Sequence, residues 1–457
     1  MITAGTAALV ARELEAISGR ENVVENPDEL VRFNIDGVQP AIAVSPDTPQ
    51  EVAQILRFAY ERSLVVVPAG GFTDQTSGAV PERIDILLRT PRLKSVEHYD
   101  PGDLTLGAGA GFTLAEIERM LASYRQFLPW DPARPQAATI GGALATAAHG
   151  PLKHGFGGVR DFCIGVKFVT GDGKLAKGGG RVMKNVAGYD LMKLMAGSVG
   201  SLGVIVSANF KVFPRPQQTR TFVANFLWAP GAVLLRDMLL KSPLTPMCLE
   251  IISPRAVEYF DSLTNEPENS ARALPLLDSK CWRICVRAGG SEAVLGRYRS
   301  TLGSAVTTEL DGEAEAQLWR AISNFRHTVA VRHRNAMMVN VSVPLTAVAD
   351  ALAAGERAAT QHNFLFAAVG RAGIGSLVMS FIPIAVDPPS TMQYANAASA
   401  FRANLPQEAS AVVTSCPHEA KNHFSVWGSS PTDVECMRAV KRTLDPRNIL
   451  NRGRFLF

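Results

Sequence analysis

The sequence predicts a mixed α/β protein with at least two domains. Residues 41–110 alternate short β-type apolar runs with helices that carry capping residues, a pattern typical of a mixed α/β domain. Residues 136–217 are dense in glycine among apolar residues, which indicates backbone packed closely against a flat partner. The composition changes after "FPRP" at 213–216, and 457 residues exceed what one ordinary core accommodates.

Local signals define the elements of the first domain. Apolar runs predict strands at 41–44, 64–67, 84–88, 93–99 and 104–110. Thr48 and Glu51 form a capping-box pattern and predict a helix that ends at about Arg62. Thr113 and Glu116 predict the start of a second helix in the same way.

Composition narrows the classes of function. The net charge is only +4 and no long run of Lys or Arg occurs, which argues against nucleic acid as a partner. The six cysteines include no Cys-x-x-Cys pair and lack the spacing of iron–sulfur ligands. Glu13 and Glu15 interrupt the N-terminal apolar stripe, which indicates an amphipathic helix rather than a signal peptide. We therefore expect a cytoplasmic protein, with peripheral association at the inner face of the cytoplasmic membrane left open.

The stretch "VVVPAGGFTDQTSGAV" at 65–80 runs from an apolar strand directly into a glycine-rich loop. Glycine reaches φ > 0 without a side-chain clash, so such a loop can turn its N–H groups towards a phosphate. A plain turn uses the same residue types. The loop alone leaves both interpretations open.

Five segments, in order, resemble the vanillyl-alcohol-oxidase/PCMH type of FAD-binding flavoprotein. They are "VVVPAGGFTD", "ATIGGALATAAHG", "GVRDFCIGVKFVTGDG", "VMKNVAGYDLMKLMAGSVGSLGVI" and "LDPRNILNRGRF". The segments "VMKNVAGYDLMKLM" and "GPLKHGFGGVRDF" are most similar to the FAD-binding subunits of bacterial glycolate oxidases, which are relatives of FAD-linked D-lactate dehydrogenases. The resemblance is strong over residues 40–216 and again over residues 410–457, and it is weak between these two ranges.

The resemblance implies an α+β fold with three parts. Residues 1–217 would form a PCMH-type FAD-binding domain of two α/β subdomains. Residues 218–410 would form an α+β cap domain that binds substrate or a partner. The C-terminal segment 411–457 would pack back on the FAD-binding domain.

The same resemblance implies FAD, with its pyrophosphate on the glycine loop and on the short helix opened by "TIGG". The residues expected to hold it are Ala69, Gly70, Gly71, Phe72, Thr73, Thr139, Ile140, Gly141, Gly142, Thr146, Gly150, Gly203, Val204 and Ile205. For Val204 and Ile205, a place in a core strand is the alternative. Phe72 stands where some relatives carry a flavin-linking histidine, so we expect noncovalent FAD.

Two departures from the family occur in this loop. Many relatives have glycine at the position of Phe72 and a basic residue at that of Asp74. Phenylalanine tolerates φ > 0 poorly, and a carboxylate is repelled by pyrophosphate. Either the loop bends differently from its relatives, or Asp74 points away.

Oxidation of a 2-hydroxy acid needs a cation for the carboxylate, a base for the hydroxyl proton and an electron acceptor. Lys184 is one candidate cation, because relatives keep its segment near the flavin; a surface lysine at a helix start is the alternative. Arg326 and Arg332 are further candidates, and Arg332 is expected to share a strand face with Arg334. A solvated basic surface explains these arginines as well. Asn340 stands where relatives often carry an arginine.

No metal site is expected. His418, Glu419 and His423 lie close in sequence, but the histidines are five residues apart, which differs from the HExxH spacing.

The implied function is that of an FAD-dependent oxidoreductase acting on CH–OH donors. The chain would be a subunit that oxidises a 2-hydroxy acid, glycolate to glyoxylate, with a second flavoprotein subunit and an iron–sulfur subunit as partners. A stand-alone FAD-dependent D-2-hydroxy-acid dehydrogenase of the D-lactate type is one alternative. A flavin-free assembly subunit is another, because of Phe72 and Asp74.

Overall fold

The computed structural model describes residues 4–181, 188–260, 280–384 and 387–456. The chain divides into two compact units. Unit 1 comprises Met1–Ala148, Gly158–Pro214 and Ser429–Phe457, and unit 2 comprises His149–Gly157 and Arg215–Gly428.

Both units contain helices and strands in the described residues. The helices are α1 (Ala4–Ser18), α2 (Pro27–Leu30), α3 (Pro49–Arg62), α4 (Leu114–Ala122), α5 (Ile140–Ala145), α6 (Lys153–Phe156), α7 (Val159–Phe162), α8 (Leu191–Met195), α9 (Ala229–Lys241), α10 (Glu292–Leu302), α11 (Gly312–Arg332), α12 (Val348–Gln361), α13 (Thr391–Ala403) and α14 (Val434–Leu444). The strands are β1 (Val23–Val24), β2 (Ile42–Val44), β3 (Val66–Ala69), β4 (Ile86–Arg89), β5 (Val96–Asp100), β6 (Thr105–Gly109), β7 (Gln126–Phe127), β8 (Cys163–Val169), β9 (Leu175–Gly179), β10 (Val204–Lys211), β11 (Phe213–Pro214), β12 (Gln218–Phe226), β13 (Cys248–Ile252), β14 (Trp282–Gly290), β15 (Thr308–Leu310), β16 (Met337–Ser342), β17 (Phe364–Arg371), β18 (Ser376–Pro383) and β19 (Ser410–Ser415). None of the helices in the described part of the chain is long and apolar enough to cross a membrane.

Unit 1 is built on two sheets. The first has the order β1-β2-β4-β3, in which β2, β4 and β3 run parallel and β1 is antiparallel to β2. The second is antiparallel, with the order β5-β6-β10-β8-β9. Buried aliphatic side chains from both sheets and from α3 belong to one core cluster. This arrangement confirms the mixed α/β fold that the sequence predicts.

The helix starts of unit 1 follow their capping residues. Thr48 Oγ1 accepts a hydrogen bond from the Glu51 N–H at 3.2 Å, which satisfies one of the free donors at the start of α3. Thr113 and Glu116 complete a reciprocal capping box at α4, with hydrogen bonds of 2.8 and 3.2 Å. Both predicted helix starts are confirmed.

The C-terminal segment of unit 1 joins the edge strand of the parallel sheet. The Val66 N–H donates to the Ile449 carbonyl at 2.8 Å, and the Asn451 N–H donates to the Val66 carbonyl at 2.9 Å. Val66 and Leu450 form a parallel bridge. Residues 449–451 therefore lie beside β3, the strand that leads directly into the glycine loop.

Unit 2 is built on an antiparallel sheet of eight described strands, in the order β15-β12-β14-β13-β17-β18-β16-β19. One face is apolar and packs against helices: the Tyr298 ring of α10 stacks on Phe222 at 5.9 Å, and Phe401 of α13 lies 5.9 Å from Phe381. Side chains alternate between faces along a strand, so the intervening residues lie on the opposite face. That face carries the polar residues of β13 and β17 considered below.

The structure corrects one prediction in unit 2. Arg332 is the last residue of the 21-residue helix α11, and the next strand begins only at Met337. Arg332 and Arg334 therefore do not share a strand face. Buried Leu318, Ile322 and Val329 recur at helical spacing before them, and this longer signal outweighs a two-residue alternation.

Candidate functional site

The glycine loop folds directly against the turn that precedes α5. A Cβ added at Gly70 would overlap the Thr139 hydroxyl oxygen, and one at Gly71 would overlap the carbonyl oxygen of Ala137. Only residues without a Cβ permit this approach. Glycine is therefore required at these two positions for steric reasons. Its lack of a side chain lets the loop lie directly against residues 137–139.

Phe72 adopts the left-handed conformation, with φ of 56°. Its ring stacks on Phe33, with the ring centroids 5.7 Å apart and the planes inclined by 29°. The guanidinium groups of Arg32 and Arg89 each lie 4.7 Å from the centroid of the Phe33 ring. The Phe72 ring thus packs favourably, while its backbone has a conformation that is strained for phenylalanine.

The opposing effects of ring packing and backbone strain predict different stabilities for two substitutions of Phe72. Phe72→Gly removes the stacking but also the strain, so we expect its free energy of unfolding to stay within about 1 kcal/mol of wild type. Phe72→Val loses the ring and keeps a β-branched residue at φ > 0, which should cost about 2 kcal/mol. Chemical denaturation measures both values, and flavin content measures loop integrity. Equal stability of the two variants would contradict this account.

The turn at Thr139 begins the second wall of the site. Thr139 Oγ1 accepts a hydrogen bond from the Gly142 N–H at 3.3 Å and caps α5. A Cβ added at Gly141 would lie only 2.9 Å from Ala110 Cβ, so α5 packs closely on the antiparallel sheet. The Thr146 hydroxyl donates to the Gly142 carbonyl at 3.0 Å and closes the helix.

The start of β10 forms the third wall. A Cβ added at Gly203 would lie 2.7 Å from the Phe168 ring, so the chain passes close to β8 here. Val204 and Ile205 line the cleft and also belong to the core cluster of unit 1. The pairing with β8 shifts between Ile205 and Ser207, a bulge that redirects the side chains at this end of the strand.

The C-terminal segment supplies site residues that the sequence analysis did not assign. Arg454 Nη2 donates to the carbonyl oxygens of Gln75 and Ser77 at 2.5 and 2.6 Å, which fixes the second half of the loop. Burial lowers the pKa of Arg454 to about 10. The Asn451 side-chain amide donates to the Val199 carbonyl. The segment "LNRGRF" was part of the family resemblance, and this was the only sequence signal for these roles.

These walls border an open cleft within unit 1. It is lined by Pro68, Ala69, Gly70, Gly71, Phe72, Thr73, Asp74, Gln75, Thr90, Gly141, Gly142, Ala145, Thr146, Val199, Gly200, Gly203, Val204, Ile205, Asn451 and Arg454. The lining combines main-chain groups, hydroxyls and one buried guanidinium with an apolar strand end. Asp74 contributes to the lining, so the departure from the family lies at the cleft itself.

The remaining predicted site residues lie elsewhere. Ile140 is fully buried in the core, and Gly150 belongs to unit 2. Lys184 lies outside the described residues. Arg332 Nη1 donates to the Glu258 carbonyl at 2.5 Å. Arg326 lies on α11 and is half-buried.

Two family models match the chain. Residues 40–179 match the FAD binding domain, and residues 215–455, more than half of the chain, match the C-terminal domain of FAD linked oxidases. The chain belongs to the FAD-linked oxidases. It is therefore an FAD-dependent oxidoreductase. The two family models match the N-terminal and the C-terminal part of the chain.

Individual relatives of this FAD-linked oxidase cover nearly its full length. It is 24% identical to glycolate oxidase subunit GlcD of Bacillus subtilis (strain 168), over 97% of the chain and 96% of that protein. It is 27% identical to a D-lactate dehydrogenase of Archaeoglobus fulgidus, over 94% and 96%. A shorter stretch of 125 residues, 27% of the chain and 36% of the relative, is 46% identical to glycolate oxidase subunit GlcE of Escherichia coli (strain K12).

A solved structure confirms the fold. p-Cresol methylhydroxylase with substrate bound superposes with a TM-score of 0.77 over 99% of this chain and 97% of its own, at 16% identity. The predicted PCMH-type α+β fold is therefore confirmed.

The cleft of unit 1 fits FAD in its chemistry. Gly70 and Gly71 leave no side chain between the loop and an incoming group, so main-chain N–H groups can approach a pyrophosphate closely. Arg454 lines the same cleft and offers a nearby positive charge. The apolar end of β10 suits a flat aromatic ring. Bound FAD would supply a two-electron acceptor, and the residues of the cleft would hold and orient it.

Proposed function

We propose that this chain is the FAD-binding subunit of a complex that oxidises a small 2-hydroxy acid, glycolate to glyoxylate, and passes the electrons through its flavin to partner subunits. The observation that carries the proposal is the glycine-walled cleft of unit 1 in a chain whose full-length relatives include a glycolate oxidase subunit and a D-lactate dehydrogenase. Each turnover removes two electrons and two protons from the hydroxyl-bearing carbon and its oxygen.

The proposed partners are a second flavoprotein subunit and an iron–sulfur subunit. Two of the relatives are named as subunits, GlcD and GlcE, which supports a multi-subunit enzyme. Cys163 and Cys285 are buried, and burial raises the pKa of each thiol to about 12, so neither suits a thiolate ligand for a cluster. In this proposal the iron–sulfur partner holds the cluster, and the partners attach the complex to the cytoplasmic face of a membrane.

Two measurements on the purified chain test the proposal. The visible spectrum should show flavin, released on denaturation because the attachment is noncovalent; a chain that stays colourless after reconstitution with FAD would be a flavin-free assembly subunit. Turnover of glycolate or D-lactate with an artificial acceptor should require co-expression with the partner subunits. Full turnover by the isolated chain would instead identify a stand-alone 2-hydroxy-acid dehydrogenase.

A further inference from the structure

Unit 2 contains a buried ion pair on the polar face of its sheet. Glu250 on β13 is in register with Arg371 at the end of β17, and the Arg371 Nε–H donates to Glu250 Oε1 at 3.1 Å. The two side chains are 0% and 4% exposed. Burying two charges is unfavourable unless their remaining donors and acceptors are also satisfied.

Those remaining groups are not satisfied within the described residues. There, the guanidinium of Arg371 makes no hydrogen bond other than the one from Nε, which leaves both Nη groups to donate. Glu250 Oε2 is buried without a hydrogen-bond partner. Two other buried or half-buried arginines of unit 2 differ. Arg236 uses Nε and Nη1, and Arg402 uses Nε, Nη1 and Nη2, on carbonyl or carboxylate oxygens.

A histidine from the 149–157 segment stands next to this pair. Ser376 on β18 is in register with Arg371, and its hydroxyl lies 3.3 Å from His149 Nε2. The segment is attached to the same sheet, because the Gly155 N–H donates to the Met247 carbonyl at 3.1 Å. His149, Ser376 and Arg371 are therefore held together by one strand pair and one docked segment.

Positive charge dominates around His149. Burial, and then the charges of Arg371, Lys153 and Arg326, lower the pKa of His149 well below its usual range. Burial raises the pKa of Glu250 to about 7, even though Arg371 opposes the shift. Near neutral pH, three cations thus act on a neutral histidine, and the raised pKa of Glu250 limits the negative charge that opposes them. Such a cluster attracts an anion.

We propose that the Nη edge of Arg371 binds the carboxylate of the 2-hydroxy acid. Glu250 accepts from the Nε–H of the guanidinium and leaves the edge formed by its two Nη groups, with their parallel donors, for a second carboxylate. Arginine offers this planar pair of donors and lysine does not, so the site suits an anion that presents two oxygens side by side, as a carboxylate does. The inference rests on the proposed function, because it names the residue that would hold that substrate.

Oxalate, a small carboxylate that cannot be oxidised at a hydroxyl, is the probe. Calorimetric titration of the FAD-loaded protein should show oxalate binding that Arg371→Gln weakens roughly 10- to 100-fold, the effect of losing charged hydrogen bonds. Arg371→Lys keeps the charge and should also weaken binding. Arg357→Gln, at an exposed arginine of α12 in the same unit, is the matched control and should bind oxalate as wild type does.

Arg371→Gln leaves Glu250 buried without its partner and can unfold the unit for that reason alone. The double variant Glu250→Gln/Arg371→Gln removes both charges together, and thermal unfolding identifies which variants are folded. Wild-type oxalate affinity in Arg371→Lys and in the folded double variant would overturn the site. Absence of oxalate binding by the wild type would overturn it too.

The site and the proposed function fail in different ways. If the wild type oxidises a 2-hydroxy acid while the Arg371 variants keep its KM and oxalate affinity, the site is wrong and the function stands. If oxalate binding depends on Arg371 but no 2-hydroxy acid is oxidised with or without partner subunits, the carboxylate site stands and the function is wrong. A raised KM together with weakened oxalate binding supports both.

Discussion

Gly71→Ala is expected to destabilise unit 1 by about 4 kcal/mol and to abolish FAD binding, because the overlap it creates is with backbone rather than with a movable side chain. The added Cβ would overlap the carbonyl oxygen of Ala137, in the turn that leads into α5. Relief requires either the loop or the turn to move. The loop lines the cleft, and the turn leads into Gly141 and Gly142, which also line it, so stability and cofactor binding should fall together. Chemical denaturation and the ratio of flavin to protein after gel filtration measure the two effects.

The control for Gly71→Ala is the same substitution where space is free. Gly296 lies within α10 of unit 2, and a Cβ added there meets nothing within 4 Å. Alanine is the better helix former, so Gly296→Ala should be neutral or stabilise the protein by up to about 1 kcal/mol. FAD content should not change. If Gly71→Ala unfolds at the wild-type denaturant concentration and keeps its flavin, the close approach of loop and turn described above is incorrect.

The glycine loop could be predicted because its sequence signal is local, whereas the steric reason for its glycines lies in the distant residues 137–139. Gly70 and Gly71 directly follow a buried strand, and both the turn and the phosphate interpretation depend on residues within a few positions. Thr48 and Thr113 were predictable for the same reason, since each caps a helix through a residue three positions later. Family resemblance then selected FAD among the ligands that such a loop could hold.

Contacts between distant parts of the chain were not predictable in this way. Arg454 reaches Gln75 across 379 positions, and no local pattern near either residue specifies the other. The arginine proposed above to bind the substrate carboxylate is a second case. Asn340 stands where relatives often carry an arginine. Strand pairing places Asn340 on the same sheet face as Arg371, through Val378 and Val369. Only the register of β16, β18 and β17 reveals that a guanidinium stands two strands away.

Lys441→Met is expected to lower the free energy of unfolding by about 3 kcal/mol, the cost of breaking a buried ion pair from one side. The Lys441 ammonium donates to Asp445 Oδ2 at 2.6 Å and to the carbonyl oxygens of Ser201 and Leu450 at 2.7 and 3.0 Å. It thereby joins α14 to the chain segment just before β10. Methionine fills the space but leaves the carboxylate and both carbonyls without their donor.

The loss should extend to the cofactor, because the segment that Lys441 anchors continues to Asn451 and Arg454 in the cleft. Lys174→Met is the matched control: Lys174 pairs with Asp172 at 2.7 Å in the same unit, but its side chain is 76% exposed. An exposed pair contributes little to stability, so this variant should unfold like wild type and keep its FAD. Thermal unfolding followed by flavin fluorescence separates the two outcomes. Equal effects of Lys441→Met and Lys174→Met would show that burial of the pair does not stabilise the C-terminal segment. The attachment of Asn451 and Arg454 to the cleft would then depend on the other contacts of this segment, with Val66, Val199, Gln75 and Ser77.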